Sequence, residues 1–390
     1  MKIRNIHIQH YKSLSDVKFP FSNVNVLVGQ NATGKSNIID VLRFLKDAYV
    51  YDLDHAITDR GGMEILRQYS PTRPYTLSIR IDFTYDLPDI GPNLPGIYSL
   101  KLSSARGTYA VEHEYAEWSF WDVKVQSTKV ERYLSKYIYE RGPDGFASLN
   151  DKKIETSLSK DQLGIKTIRV ARYVFDDVFA GMRFASIFPN TLRDLVRPDQ
   201  DRRLKEDCSN WASVIKAMRQ RKQDIALQRV MSYMSKVIPG LQNVTVKTAG
   251  SYLVPQFLVQ NKPESKAHHY DPAQLSDGTL RLFGMLLTMY QVPQPSFIAM
   301  EEPEQMLHPG VLHLLVDAIR ETSTRCQVLI TTHSPYLLDL FKPEEIKVVY
   351  MESGETRVAP IKESQIKIVQ DGLMRVSEIM ALDGLLPGEQ

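Results

Sequence analysis

The densest chemistry in this chain lies at Gly29-Gln30-Asn31-Ala32-Thr33-Gly34-Lys35-Ser36. A glycine, four residues, then glycine, lysine and a hydroxyl residue is the order of a phosphate-gripping loop. The glycines let successive backbone N–H groups turn inward as an anion nest at a helix N-terminus. Lys35 adds a point charge for β- and γ-phosphates, and Ser36 offers a hydroxyl to Mg²⁺. Asn37, the next residue, is counted with this set. The chemistry so read is binding of ATP with Mg²⁺.

A second group is acidic. Phe297-Ile298-Ala299-Met300 runs into Glu301-Glu302, which puts two carboxylates at the carboxyl end of a buried strand, where open α/β sheets bind ligands. Beside a phosphate loop, the first acid is read as a Mg²⁺ ligand and the second as the group that polarises the attacking water. Taken alone, the pair reads equally well as a cap on the segment that Pro303 opens. His333 follows the apolar run Leu329-Ile330-Thr331-Thr332. It too stands at a strand's end, from which it could sense the γ-phosphate or the water, although a lone histidine is more often structural.

The elements that must position these residues are partly legible. Ile3, Ile6 and Ile8, and the β-branched run 23–28, read as strands. Ile38, Val41, Leu42 and Leu45 recur at helical spacing after Ser36. The stretch 51–150 reads as β-rich, with strands over 77–85 and 98–103 and Pro-Gly punctuation over 86–96. Residues 162–238 read as largely helical, followed by strands over 244–247 and 253–260 and a polar link over 261–271. Then a nearly all-apolar helix over 280–290, a buried strand over 297–300, a helix over 311–319 and a buried strand over 328–332 alternate. A strand over 346–350 and a hairpin partner near 356–360 close the chain. The expected fold class is α/β: a mostly parallel sheet flanked by helices, with an antiparallel β subdomain and an inserted α-rich lid. The expected divisions are 1–150, with the loop and the β-rich part; 151–240, a helical insert; and 241–390, with the acids and His333. No internal repeat or sustained heptad run occurs, so long coiled-coil arms are not expected.

Composition narrows the class. At 390 residues, 43% hydrophobic and 24% charged, the chain is ordinary for a globular protein. No apolar run approaches about eighteen residues, and the N-terminus lacks a secretory core, so a cytoplasmic protein without membrane spans is expected. Cys208 and Cys326 match no disulfide framework or zinc spacing. A net charge of +2 neither demands nor excludes nucleic acid.

Gln274-Leu275-Ser276-Asp277-Gly278-Thr279 resembles the ABC signature segment, and phosphate loop, signature, acid pair and histidine occur in the expected order. The chain resembles the ABC-type ATPases of the SMC, RecF and OLD-like group, over about its first fifty residues and over 274–345. The resemblance implies a homodimer in which two heads sandwich two nucleotides. Ser276, Asp277 and Gly278 of one head would contact the γ-phosphate held by the other, with Glu304 to His308 crossing the dimer axis. It also implies catalytic roles for Lys35, Glu302 and His333. The group usually has Asp where Glu301 stands, and the extra methylene puts direct Mg²⁺ contact in doubt. Gln68, after Arg60-Gly61-Gly62, is a weak candidate for the glutamine loop.

The long interval between Gly34 and Leu275 disfavours a transporter domain. The segment 334–390 is too short for the metal-dependent nuclease domain of OLD-like proteins, so nuclease activity is expected in another polypeptide. Arg193, Arg197, Arg202, Arg203, Lys205, Lys216, Arg219, Arg221 and Lys222 cluster in the insert. Interspersed acids leave a solvated helix face and a DNA-facing surface both open. The leading expectation is an ATP-gated dimer that senses DNA or controls a partner effector such as a nuclease, in antiviral defence. The alternatives are an ATP-regulated scaffold that holds and releases a toxic partner without DNA, and a RecF-like repair ATPase.

Overall fold

The structure is a computed structural model that describes the chain except residues 71–74, 88–90, 106–107, 127–128, 155–157, 159–161, 221–223, 261–265, 383 and 390. Parts of the punctuation at 86–96 and of the polar link at 261–271, together with Arg221 and Lys222, therefore lie outside the described residues. The chain forms two compact units, one of residues 1–182, 346–367 and 385–390, the other of 183–345 and 368–384.

In the first unit, β1 (Lys2–Tyr11) and β2 (Leu14–Pro20) form an antiparallel hairpin that pairs Ile8 with Val17. β3 (Val24–Val28) is buried at every residue, as expected for a strand covered on both faces. α1 (Lys35–Val50) buries Ile38, Val41, Leu42 and Leu45, the stripe its spacing dictates. β4 (Leu77–Leu87), β5 (Gly91–Ala105), β6 (Thr108–Gln126), β7 (Lys129–Arg141), β8 (Ala147–Leu149) and β9 (Lys152–Ile154) follow. They build an antiparallel sheet in the order β2-β1-β4-β5-β6-β7-β8-β9. The hairpin of β6 and β7 is longer than any strand read from the sequence, because its alternation is carried by Tyr, Trp and small residues as much as by aliphatic ones.

Behind that sheet, Glu114 is wholly buried. It accepts from the backbone N–H of Gly164 at 2.7 Å and of Ile165 at 3.2 Å, and from Tyr98 Oη at 3.2 Å. Arg141 lies 3.9 Å away. Burial pushes the Glu114 carboxyl up, opposed by the two backbone donors and Arg141. Glu114→Ala orphans two buried N–H groups and leaves Arg141 without its counter-charge. It is expected to destabilise the protein by about 3–5 kcal/mol in denaturant titration; a loss below about 1 kcal/mol would show the network to be dispensable.

The second unit begins near β10 (Met182–Ala185) and carries helices α2 (Pro189–Arg193), α3 (Trp211–Gln220) and α4 (Asp224–Met234). A small antiparallel sheet of β11 (Leu241–Ala249), β12 (Tyr252–Val259) and β13 (His268–Tyr270) precedes α5 (Asp277–Tyr290). α5 is buried from Leu280 to Tyr290, on every face. Its Phe283 meets Trp211 at 5.3 Å and Phe257 at 5.2 Å between ring centroids. β14 (Phe297–Glu301) and β15 (Gln327–Thr332) pair in parallel, Ile298 opposite Val328, with α6 (Leu312–Ser323) as their crossover. β10 lies on the other side of β14.

The chain then returns to the first unit. β16 (Ile346–Glu352) pairs in parallel with β3 and antiparallel with β17 (Glu355–Pro360). The parallel partner explains why β3 is aliphatic throughout.

Candidate functional site

In the first unit the loop between β3 and α1 has the backbone that its glycines predict. Ala32 and Gly34 both take positive φ, 62° and 100°, the alternation that turns N–H groups toward a common point. A Cβ at Gly29 would collide with the carbonyl of Val349, and one at Gly34 with the hydroxyls of Ser13 and Thr356. Gly29 thus needs glycine for space, and Gly34 for space as well as for conformation. Lys35 is 7% exposed. Its Nζ donates to the carbonyls of Gly29 at 2.9 Å and Gln30 at 2.7 Å, and Thr33 Oγ1 donates to Gln30 O at 2.9 Å. Gln30, Asn31 and Ser36 are exposed. No side chain caps the first turn of α1, which leaves its positive dipole end facing the loop.

Asn37 reaches the neighbouring hairpin turn. Its Nδ2 donates to Ser13 Oγ at 2.9 Å, and Ser13 pairs with Thr356 Oγ1 at 2.8 Å. Gln68 is engaged by His10, whose Nδ1 lies 3.0 Å from Gln68 Oε1. Sequence reasoning missed the brace on α1. Arg60 binds Asp40 and Asp47, each at 2.9 Å, while Lys12 and Tyr11 each reach Asp40 at 2.7 Å. Burial alone would raise the Asp40 carboxyl; Arg60, Lys12 and Tyr11 outweigh it and hold it below its ordinary value. The brace ties α1, which the loop enters, to Tyr11, Lys12 and Arg60.

In the second unit Glu301 ends β14 and Glu302 follows at φ 43°. Glu302 donates its N–H to Thr331 O at 2.9 Å, and its Oε1 lies 3.8 Å from His333 Nε2. Gln305 donates to Glu302 Oε2, a partner the sequence did not single out although it stands three residues on. Both Glu302 and His333 are about one-third exposed, at 34% and 31%, so acid and histidine meet where water can enter. Thr332 donates to Glu304. His308 Nδ1 accepts from Gly310 N at 3.1 Å and caps the turn leading to α6.

Ser276 is the N-cap of α5 and accepts from Thr279 N at 3.2 Å. Arg193 donates to Asp277 Oδ1 at 2.6 Å and to Leu275 O at 2.9 Å. A Cβ at Gly278 would run into the carbonyl of Met306, so the turn at Ser276 to Gly278 lies directly on the segment 304–308. Met306 itself is 59% exposed. Ser276 and Asp277 are also exposed, although the helix they begin is buried.

Several of the clustered basic residues have partners in their own chain. Besides Arg193, Lys205 pairs with Asp199 at 2.7 Å, Lys216 donates to Thr248, and Arg219 donates to Asn243 and Val244 O. Among the described residues no three His, Cys, Asp or Glu side chains gather as a metal cluster. Mg²⁺ needs none, because it takes one or two protein oxygens and completes its shell with phosphate and water. The Ser36 hydroxyl and the Glu301 carboxylate are oxygens of that kind. Among the described residues no helix is long and apolar enough to cross a membrane.

Comparison with known proteins bears on the family and the fold. Residues 1–179 match the family model described as "AAA ATPase domain", and residues 252–339 the one described as "AAA domain, putative AbiEii toxin, Type IV TA system". A stretch of 46 residues is 39% identical to the DNA replication and repair protein RecF of Lactococcus lactis subsp. cremoris, strain MG1363. The match covers 12% of this chain and spans only 13% of the RecF length. Two solved structures are similar over nearly the whole chain, each at 13% identity. The SMC head bound to the C-winged helix domain of ScpA gives a TM-score of 0.60 over 94% of this chain and 99% of that one. The SMC head with an extended coiled coil bound to the C-terminal domain of ScpA, from Pyrococcus furiosus, gives 0.56 over 96% and 100%. At that identity the likeness speaks for the fold alone, an α/β fold like that of an SMC head.

Proposed function

We propose that this chain, an ATPase of the SMC- and RecF-like ABC class, works as an ATP-gated pair of heads whose closure controls a partner effector. The observation that carries this reading is the exposed polar start of the buried helix α5. Ser276, Asp277 and Gly278 present a helix N-terminus to the outside, where a phosphate held by a second copy can accept its N–H groups.

In this reading the loop 29–36 binds the triphosphate, with Lys35 moving its ammonium from loop carbonyls to phosphate oxygens. Ser36 and Glu301 would supply the protein oxygens for Mg²⁺. Mg²⁺ supplies neutralisation of the charge on the β- and γ-phosphates. Glu302 orients the attacking water and accepts its proton, and His333 senses the same water or the γ-phosphate. The second copy contributes the signature, so the site is complete only in the dimer.

Gly278→Val is expected to leave ATP affinity unchanged and to remove the ATP-dependent dimer seen by light scattering. Ser276→Arg, which leaves Met306 undisturbed, is expected to do the same. Dimers at the parental level in both variants would overturn the shared site.

The outcome of closure is read as release or activation of an effector in antiviral defence, in line with the toxin–antitoxin wording attached to the matched C-terminal model. Internal pairing of Arg193, Lys205, Lys216 and Arg219 favours control of a protein partner over DNA sensing. Salt-sensitive DNA binding by the purified chain would reverse that preference. Stable co-purification of an effector without DNA would support it.

A further inference from the structure

Arg281 is the sole charged residue between Leu280 and Tyr290 of α5, and it is 9% exposed. A lone charge in an otherwise apolar helix was the signal available in the sequence. Its Nη1 donates to the carbonyl of Ile187 at 3.0 Å and its Nη2 to the carbonyl of Glu302 at 3.1 Å. Neither acceptor is a carboxylate, and Nε makes no hydrogen bond. Burial pulls the guanidinium pKa down, opposed by the charges of Glu304 and Glu302. A buried cation with this arrangement is a poor way to gain stability, because an apolar side chain of like volume fills the space without desolvation.

The bond to Glu302 falls where the backbone is strained. Glu302 takes φ 43°, a left-handed conformation that non-glycine residues keep only when neighbours impose it. The peptide before its Cα is pinned by N–H donation to Thr331 O, and the peptide after it by Arg281. Between these two pins the carboxylate is aimed at Gln305 and His333.

We infer that Arg281 is a positioning residue that sets the main chain of Glu302 and so couples its carboxylate to the signature helix. Arg281 lies one turn beyond Gly278, on the helix whose N-terminus would receive the second copy's phosphate. On the next turn, Gly284 packs so closely on Ile187 and Cys208 that a Cβ would not fit. α5 and the segment at Ile187 therefore shift together, and the guanidinium carries that shift to the carbonyl of Glu302. Phosphate engagement at Ser276 to Gly278 thereby acts on the hydrolytic acid of the same chain.

This inference rests on the reading of Glu302 as the acid that handles the water. Arg281→Met and Arg281→Lys test it through ATP affinity, single-turnover hydrolysis and thermal unfolding. Arg281→Met is expected to keep ATP affinity and to lower the hydrolysis rate about 10²-fold, the scale of a misaimed catalytic group. Arg281→Lys, which keeps one cationic donor, is expected to recover part of that loss. In a Glu302→Gln background, Arg281→Met is expected to have no further effect, which a merely structural role would not give. Parental hydrolysis in Arg281→Lys and Arg281→Met, or an undiminished effect in the Glu302→Gln background, would overturn it. Should Arg281→Met not fold, Arg281→Lys decides: parental turnover overturns the inference, and lowered turnover at parental affinity supports it. Undiminished hydrolysis in Glu302→Gln alone would instead remove the underlying reading.

Discussion

Lys35→Ala is expected to abolish measurable ATP binding. Lys35 is 7% exposed and its ammonium is already aligned on the loop, with two carbonyls at 2.9 and 2.7 Å. It has only to exchange those neutral acceptors for phosphate oxygens at the same turn. Charge-assisted hydrogen bonds are worth about 1.5–3 kcal/mol each, so losing two weakens binding by about 10²–10⁴-fold. The loop backbone should survive, because Thr33 still holds Gln30 O and Gly34 still sits against Ser13 and Thr356. Titration of a fluorescent ATP analogue with Mg²⁺ reads the effect directly. Parental affinity in a folded variant would contradict the assignment of 29–36 as the phosphate loop.

The second large effect belongs to Glu302. Glu302→Gln preserves size and hydrogen-bonding reach and removes only the basic oxygen. ATP should still bind, while turnover falls by about 10²–10⁴-fold, the range for loss of a general base. With hydrolysis slowed, the ATP-bound dimer should accumulate, so light scattering in ATP and Mg²⁺ should show twice the monomer mass. Steady hydrolysis at the parental rate would move the base role to another group, with Glu304 and His333 next in position. A stalled enzyme that stays monomeric in ATP would separate catalysis from dimer closure.

The two sets of candidate residues, one in each unit, were unequally legible. Residues 29–36 could be read directly because every function of that loop is local: contiguous backbone N–H groups, one lysine and one hydroxyl, with a β-branched strand before and an amphipathic helix after. Glu301, Glu302 and His333 could be read by position, since apolar strand runs end just before them. Gln305 and Arg281 could not, because their importance lies in which carbonyl or carboxylate they meet. Asn37, read with the loop from its place in the sequence, also donates its amide to Ser13, a contact that no local pattern records.

The fold divides along the same line. Aliphatic runs such as Val24–Val28 and Val328–Thr332 identify buried parallel strands wherever they occur, because both faces must be apolar. The long hairpin of β6 and β7 and the burial of Glu114 behind it depend on pairings between distant residues, and no local pattern records them. The sequence by itself therefore determined an α/β scaffold and the residue types set on it: the glycine loop at 29–36, two acids and a histidine at strand ends, and a Ser-Asp-Gly helix start. Only the tertiary structure decided how that chemistry is aimed, because the left-handed Glu302, the brace on α1 and the fork of Arg281 are set by hydrogen bonds that side chains and carbonyls make across the fold.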